Sequence, residues 1–287
     1  MSDVRVALVV PTIGRAAELD ELLCSVESQS HPVASVVIAD QSNGHDVREL
    51  VARWKRRLPV TRVVSCGGAS KGRNDGIAAL PNCDVIGFPD DDVWYQRDTV
   101  ERAVGALRRH GGCVSGVLTT TVGTVGRMGA ASDPRLLDKR TLWKWAMEAT
   151  CFFERRYFTT VGYFDPGLGV GAPTPWQSGE ISDLLLRGLR SGFPLWSDPA
   201  VRVFDRAEVD SRDATYRLKA RRYARGTGRV LRQHQEQGRY ATSLAGPAVQ
   251  SVCGLLRGRP HTALLKLHVT LGRAEGMVGR VLPLSPE

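Results

Sequence analysis

The chain lacks the features that mark secreted and membrane-spanning proteins. Its six cysteines are scattered over 287 residues without a Cys-x-x-Cys pair, which favours reduced thiols in a cytoplasm over a disulfide framework. No apolar run reaches the roughly 18 residues needed to cross a bilayer. The N-terminus leads directly into a predicted strand rather than into a signal peptide. We therefore expect a cytoplasmic protein.

Three familiar nucleotide-binding signatures are missing as well. A dinucleotide-binding fold requires Gly-x-Gly-x-x-Gly after its first strand, and a P-loop requires Gly-Lys-Ser/Thr. Neither occurs at the required place. The glycine-rich signature that follows the first strand of sugar nucleotidyltransferases is absent too. A nucleotide site in this chain must therefore be built in another way.

Positive charge is concentrated in the C-terminal part of the chain. The net charge is +9, and residues 202–287 carry 16 Lys and Arg against 7 Asp and Glu, which leaves residues 1–201 neutral. Apolar residues interrupt this basic segment, and it contains no RNA- or DNA-binding module, so we expect no nucleic-acid partner. The distribution indicates a neutral body with a basic, surface-seeking tail.

The tail contains two apolar runs, residues 248–256 and 263–271, with arginine and lysine beside and within them. The pattern predicts amphipathic helices. Such helices can lie on an anionic membrane surface, cover the body of the protein or join two copies in a homodimer. The sequence leaves these three possibilities open.

Strands and helices alternate along the first hundred residues. Apolar runs bounded by turn residues predict strands, and apolar residues at helical spacing lie between them. The predicted strands cover residues 4–10, 33–39, 60–64, 85–89, 114–122 and 149–153. This order predicts an α/β protein with a mostly parallel sheet flanked by helices.

The apolar run that begins at Val85 stops at three successive carboxylates, Asp90, Asp91 and Asp92. Adjacent carboxylates repel one another unless a cation, basic groups or water neutralise them. At the carboxyl end of a parallel strand they would lie where open α/β sheets bind ligands. Their hard oxygens suit Mg²⁺ or Mn²⁺ bridging a diphosphate, and the alternative is a solvated acidic turn.

Polar residues follow the other predicted strands and the glycine-rich turn at 67–76. They are Thr12, Arg15, Asp40, Lys71, Arg73 and Asn74. Basic side chains and a helix N-terminus can receive phosphate oxygens, and Asp40 can accept a hydrogen bond from a nucleobase or a ribose. Alternatively, Asp40 caps a turn and Arg73 is an ordinary surface charge.

A glycine- and proline-containing loop at 167–179 leads into a predicted helix at 180–191. Glu180 and Asp183 are three residues apart, so they share one face of that helix. The helix dipole favours an ionised carboxylate in the first turn, as a general base requires. Alternatively, both are ordinary N-terminal helix acids.

Taken in order, these motifs resemble family 2 glycosyltransferases with the GT-A fold, over about residues 4–235. The motifs are Pro-Thr-x-x-Arg, Asp after the second strand, Lys-Gly-Arg-Asn, Asp-Asp-Asp and Trp-x-Ser-Gly-Glu-x-x-Asp-Leu. The resemblance implies a nucleotide pocket lined by Pro11, Thr12, Arg15 and Asp40. It further implies that the Arg73-Asn74 turn lies beside the diphosphate, where Lys71 can assist. The Asp90-x-Asp92 pattern would hold the metal and, with Asp91, the donor, and an acceptor-side lid would contain Trp176.

The chain departs from the family pattern at two places. The family shows Gly-Glu-Asp-x-Asp-Leu, whereas this chain has Ile181 in place of the second acid. The base is therefore Glu180 or Asp183, and we favour Glu180. Many members also have a histidine on the strand after this helix, where this chain has Phe204 or Asp205. Metal binding then rests on Asp92, with help from Asp90 or Asp205.

The resemblance implies an inverting glycosyltransferase that moves a sugar, a hexose or deoxyhexose, from a nucleoside-diphosphate sugar to an acceptor hydroxyl. The acceptor is a glycan, a lipid-linked molecule or a small molecule, and the cofactor is Mg²⁺ or Mn²⁺. We expect a glycosyltransferase domain at 1–235 and a basic amphipathic helical tail at 236–287. We expect the protein in the cytoplasm, either dissolved or bound peripherally to the inner face of the membrane. The alternative is a catalytically inactive nucleotide-sugar-binding or regulatory protein of the same fold.

Overall fold

The computed structural model describes residues 4–120, 123–124, 133–205 and 213–282. The chain divides into two compact units: unit 1 comprises Met1–Phe164 and Leu184–Ala207, and unit 2 comprises Asp165–Asp183 and Glu208–Glu287. Residue 235, where the sequence predicts the end of the family domain, lies inside unit 2. The division into a family domain and a tail stays a prediction. The last two residues of the strand predicted at 114–122 lie outside the described residues.

Unit 1 is built on a ten-stranded sheet. Its strands are β1 Val6–Thr12, β2 Val33–Asp40, β3 Val60–Val64, β4 Val85–Gly87, β5 Val93–Tyr95, β6 Cys113–Thr120, β7 Gly123–Thr124, β8 Arg135–Leu137, β9 Cys151–Glu154 and β10 Leu195–Asp205. The helices before β10 are α1 Ala16–Glu27, α2 Asp46–Trp54, α3 Ala69–Ala78, α4 Thr99–His110, α5 Leu142–Trp145, α6 Arg156–Val161 and α7 Glu180–Arg190. The boundary between the units falls inside α7.

The main path of the sheet runs β3-β2-β1-β4-β9-β6-β10-β5. The first four strands in this order are parallel, as the alternation of strands and helices predicts. All seven residues of β1 are buried, which is typical of a parallel strand covered on both faces. Beyond β4 the sheet becomes mixed, because β9 and β5 run antiparallel to their neighbours. The α/β prediction is confirmed.

Strand register brings several of the polar strand ends together at one edge. Thr12 at the end of β1 lies opposite Asp40 at the end of β2. β5 starts directly after the three aspartates and pairs with the end of β10, where Val93 lies opposite Asp205. Trp94 stacks on Phe204, with ring centroids 5.7 Å apart. The sheet therefore places Asp205 beside the residue that follows Asp92.

Unit 2 contains the segment before α7 and three long helices, α8 Ala214–Gln233, α9 Tyr240–Leu256 and α10 Pro260–Val278. Glycines allow α10 to lie directly on α8: a Cβ atom on Gly272 would overlap the Arg221 carbonyl oxygen, and one on Gly276 would overlap that of Arg225. The helical tail expected from the sequence is therefore present, with α10 packed on α8. Within the described residues, every helix is too short or too polar to cross a bilayer.

Candidate active site

The three aspartates between β4 and β5 alternate in exposure. The side chains of Asp90 and Asp92 are 44% and 40% exposed, whereas that of Asp91 is 8% exposed. The middle carboxylate turns into the protein and the outer two remain accessible. This arrangement leaves two hard-oxygen donors, separated by one residue, for a cation or a substrate.

Asp91 ties the triplet to the end of β1. Thr12 donates from Oγ1 to Asp91 Oδ2 at 2.7 Å, and Arg15 Nη1 lies 3.2 Å from Asp91 Oδ1 while also pairing with Asp92. Burial raises the pKa of the Asp91 carboxyl, and the Thr12 hydrogen bond and the Arg15 charge oppose that rise. Asp91 is therefore an internal anchor that holds Thr12 and Arg15 beside the two accessible carboxylates.

The structure corrects the position expected for Lys71, Arg73 and Asn74. The turn comprises only Gly67 and Gly68, both at φ +93°, and the three residues lie within α3. Glycine allows this helix to pack closely on β1, because Gly76 lies where any Cβ atom would overlap Val9. The basic side chains are therefore fixed by a helix instead of a flexible turn.

Arg73 is 2% exposed and is held by two acids. Its Nη2 donates to Asp90 Oδ1 at 2.8 Å, and its Nη1 lies 2.5 Å from Glu148 Oε1. The guanidinium also lies over the ring of Phe164, 5.7 Å from its centroid. Arg73 is therefore a buried counter-ion of the first aspartate and not the ordinary surface charge of the alternative interpretation.

The two other predicted donor-side residues of this segment, which lie on α3, have partners inside the protein. Lys71 forms an ion pair with Asp75, one helical turn later. Asn74 donates from Nδ2 to the Phe164 carbonyl at 2.9 Å, and Phe164 N donates to Asn74 Oδ1 at 3.0 Å. Asn74 thus fixes the chain at Phe164 to α3.

Asp40 is completely buried at the end of β2. Its Oδ1 accepts hydrogen bonds from Ser42 N at 2.9 Å and from Ser42 Oγ at 2.6 Å. Its Oδ2 accepts from Arg62 Nε at 2.7 Å. Asp40 therefore closes the turn after β2 and neutralises Arg62. Pro11 is also buried, one residue before the end of β1.

The donor set suits a divalent cation held by few protein ligands. Among the described residues, no three His, Cys, Asp or Glu side chains are grouped as a metal cage. Asp90 and Asp92 offer accessible carboxylate oxygens, and the sheet register brings Asp205 nearby. Mg²⁺ is commonly held by one or two carboxylates together with substrate phosphates and water. The residues present therefore fit Mg²⁺ or Mn²⁺.

In unit 2, Glu180 and Asp183 occupy the first turn of α7, and both are buried. Asp183 Oδ1 lies 2.7 Å from Nε2 of His234, the residue that follows α8. The segment before them is fixed to α8, because Ser178 Oγ donates to the Tyr223 carbonyl at 2.5 Å. Asp183 is therefore bound to a histidine of the same unit.

Trp176 lies in a loop that is held by its own hydrogen bonds. Its backbone N–H donates to Thr174 Oγ1 at 3.2 Å, and Gly169 N donates to the Trp176 carbonyl at 3.0 Å. The Arg229 guanidinium lies 5.8 Å from the centroid of the Trp176 ring. Trp176 is therefore a fixed aromatic surface within unit 2, and its contact with an acceptor stays a prediction.

Sequence reasoning missed Glu148, Arg62 and His234. The family pattern has a histidine on the strand after α7, whereas in this chain the histidine that contacts Asp183 follows α8. No local spacing connects any of the three to its partner.

The family profile described as "Glycosyl transferase family 2" matches residues 7–163. No curated protein sequence matches the chain. Among solved structures, the mannosyltransferase PcManGT of Pyrobaculum calidifontis, in complex with GDP-Man and Mn²⁺, is 16% identical with a TM-score of 0.67, covering 98% of this chain and 89% of that chain. TarS 1–349 of S. aureus, in complex with UDP-GlcNAc, is 14% identical with a TM-score of 0.59, covering 96% and 92%.

Proposed function

Because this chain belongs to glycosyl transferase family 2, we propose that it transfers a sugar from a nucleoside-diphosphate sugar to an acceptor hydroxyl with inversion. The observation that carries the proposal is the pair of accessible carboxylates, Asp90 and Asp92, which pair with Arg73 and Arg15. Asp91 between them is held by Thr12 at the carboxyl end of β1. This edge lies where open α/β sheets bind ligands.

The donor side is assigned to unit 1. Pro11, Thr12 and Asp40 shape the nucleotide pocket, and Arg15, Lys71 and Arg73 supply positive charge for the diphosphate. Asp90 and Asp92 would hold Mg²⁺ or Mn²⁺, which would supply positive charge to stabilise the departing diphosphate. Support comes from PcManGT, whose complex contains GDP-Man and Mn²⁺, and from TarS with UDP-GlcNAc.

The proposed base is Glu180. Its carboxylate takes the proton of the acceptor hydroxyl as the hydroxyl oxygen attacks the anomeric carbon and the nucleoside diphosphate leaves. A single displacement of this kind inverts the anomeric configuration. Asp183, whose Oδ1 lies 2.7 Å from His234 Nε2, is the alternative base, and Trp176 is assigned to the acceptor side.

The donor sugar is proposed to be a hexose or deoxyhexose. The proposed acceptor is a glycan, a lipid-linked molecule or a small molecule, and the reaction is placed in the cytoplasm or at the inner face of its membrane. One observation favours a second candidate: Ile181 replaces the family's second acid. That candidate is a nucleotide-sugar-binding protein without catalysis.

Donor binding is tested by thermal unfolding with UDP-, dTDP- and GDP-sugars in the presence of Mn²⁺. A ligand at a hundredfold excess over its Kd should raise Tm by about 5 °C or more, because it binds only the folded state. The double variant Asp90→Asn/Asp92→Asn should lose this rise. Asp46→Asn, an exposed carboxylate on α2, is the matched control and should retain it.

Product formation with the stabilising donor separates the two candidates. Transfer to an acceptor or to water supports the enzyme. A donor that stabilises the parent protein without any turnover supports the binding protein instead. If no sugar nucleotide shifts the unfolding temperature of the parent, both candidates fail.

A further inference from the structure

The helix α9 carries no charged residue over its 17 residues, yet one of its faces is open to solvent. Val249, Val252 and Leu256 are exposed and follow one another at helical spacing, and Leu256 is 82% exposed. Leu255 beside them is exposed as well. Soluble proteins seldom leave such a contiguous apolar ridge in water unless it meets a partner.

The ridge continues onto α10. α9 and α10 run antiparallel, since Ser251 Oγ donates to the Ala263 carbonyl at 2.8 Å and Arg273 Nη1 donates to the Ser243 carbonyl at 2.7 Å. This pairing brings the exposed Leu264 of α10 to the same end as Leu255 and Leu256. We call residues 252–267 the hairpin tip.

The charges at and near the hairpin tip have one sign. Arg257 and Arg259, in the connection between the helices, are exposed. The only acid among residues 240–282 is Glu275, which is buried and bound by Arg221 and Arg225 of α8. Every exposed charge on this hairpin is therefore positive.

These features favour an anionic surface over a second copy of the chain. In a two-fold dimer the same patch appears on both subunits, so the arginines of one tip would lie close to those of the other. Phosphate groups of a bilayer offer the opposite charge, and exposed leucines can enter the boundary between headgroups and acyl chains. The hairpin lacks the length of apolar helix that would cross the bilayer.

We propose that the hairpin tip docks this protein on an anionic phospholipid bilayer. Leu255, Leu256 and Leu264 enter the interfacial region, and Arg257 and Arg259 contact lipid phosphates. This docking does not depend on sugar transfer. The hairpin tip holds the protein at the membrane, its leucines reach only the interfacial region, and the lipid must carry negative charge.

The test is sedimentation of the full chain with vesicles of phosphatidylcholine alone or with 30% phosphatidylglycerol. The second composition is chosen so that the surface potential is about −30 mV or more negative. We expect binding to the anionic vesicles only. Leu255→Ser/Leu256→Ser should reduce the partition coefficient at least about tenfold, because two apolar side chains no longer leave water. Leu136→Ser, an equally exposed leucine of unit 1, should leave it unchanged.

The charge contribution has its own variant pair. Arg257→Gln/Arg259→Gln should weaken binding by about fivefold for each arginine, and Arg53→Gln/Arg56→Gln, two exposed arginines near the end of α2, should not. An unchanged unfolding temperature verifies that the variants fold. The proposal is overturned if the parent ignores anionic vesicles, if the tip variants bind as the parent does, or if they instead abolish a dimer seen in solution.

Discussion

At the scale of single residues, the buried Arg73 makes the two accessible carboxylates unequal, because it neutralises charge on Asp90 only. A guanidinium removed from water requires compensating charge, and Asp90 and Glu148 supply it. Asp90 is therefore partly neutralised before any cation arrives, whereas Asp92 is paired with the half-exposed Arg15. The two carboxylates thus differ, and Asp92 can exchange its partner at a lower cost than Asp90 because its arginine remains near water.

The proposed base is tested by Glu180→Gln, which keeps the shape and hydrogen-bonding capacity of the side chain but cannot accept a proton. We expect turnover to fall by roughly 10²- to 10⁴-fold, with the Kd for the sugar nucleotide unchanged. Steady-state turnover and calorimetric donor binding measure the two effects.

Glu49→Gln, an exposed acid in the first turn of α2, is the matched control and should turn over normally. If Glu180→Gln turns over as fast as the parent, the assignment is wrong. Asp183, with His234 as its partner, then becomes the candidate base.

The sequence predicted which polar residues follow the strands, but not which of them touch. Thr12 and Asp91 are hydrogen-bonded because β1 and β4 are parallel neighbours, whose carboxyl ends meet at one edge. His234 could not be anticipated, because its distance from Asp183 depends on how α8 packs. Long-range pairs of this kind have no spacing rule.

At the scale of elements, glycines determine how closely α8 and α10 approach. Gly228, Gly272 and Gly276 each lie where a Cβ atom would overlap backbone atoms of the facing helix. The sequence predicted helices in this region from apolar periodicity. It did not predict their contact, because a glycine in a helix equally signals a weak point or a close approach.

The close approach can be tested by Gly276→Ala. The added methyl group must displace the Arg225 carbonyl and the α8 backbone, so we expect a loss of about 1–3 kcal/mol in the free energy of unfolding. Urea denaturation measures this loss.

Gly105→Ala on α4 is the matched control, since a Cβ atom there meets only the end of the Arg109 side chain, at 3.5 Å. It should be neutral or stabilise by up to about 1 kcal/mol, because alanine is the better helix former. Equal stability of the two variants would contradict backbone contact between α8 and α10.

At the scale of the whole molecule, the stability of the fold depends on pH through the buried carboxylate of Glu275. Burial by itself would raise the pKa of the Glu275 carboxyl, but hydrogen bonds from Arg221 and Arg225 outweigh it and hold that pKa below its ordinary value of 4.5. The carboxylate is therefore more acidic in the folded than in the unfolded chain.

This difference predicts how stability depends on pH. A lowered pKa stabilises the fold above the unfolded value, and this contribution is lost as the pH falls from about 4.5 through the folded pKa. We expect urea midpoints to drop over that range in the parent. Glu275→Gln should lower the midpoint at pH 7 and flatten the drop, whereas Glu49→Gln should behave as the parent does.

The order in which strands join the sheet bears on how the polypeptide folds while it is being synthesised. β10 lies between β6 and β5 in the sheet, although both of those strands precede it by many residues in the chain. A nascent chain that ends at residue 163, where the family match ends, lacks β10. It therefore leaves one edge of β6 unpaired and gives β5 no neighbour. Such open edges invite association between chains, so we expect unit 1 to close only after Asp205 has left the ribosome.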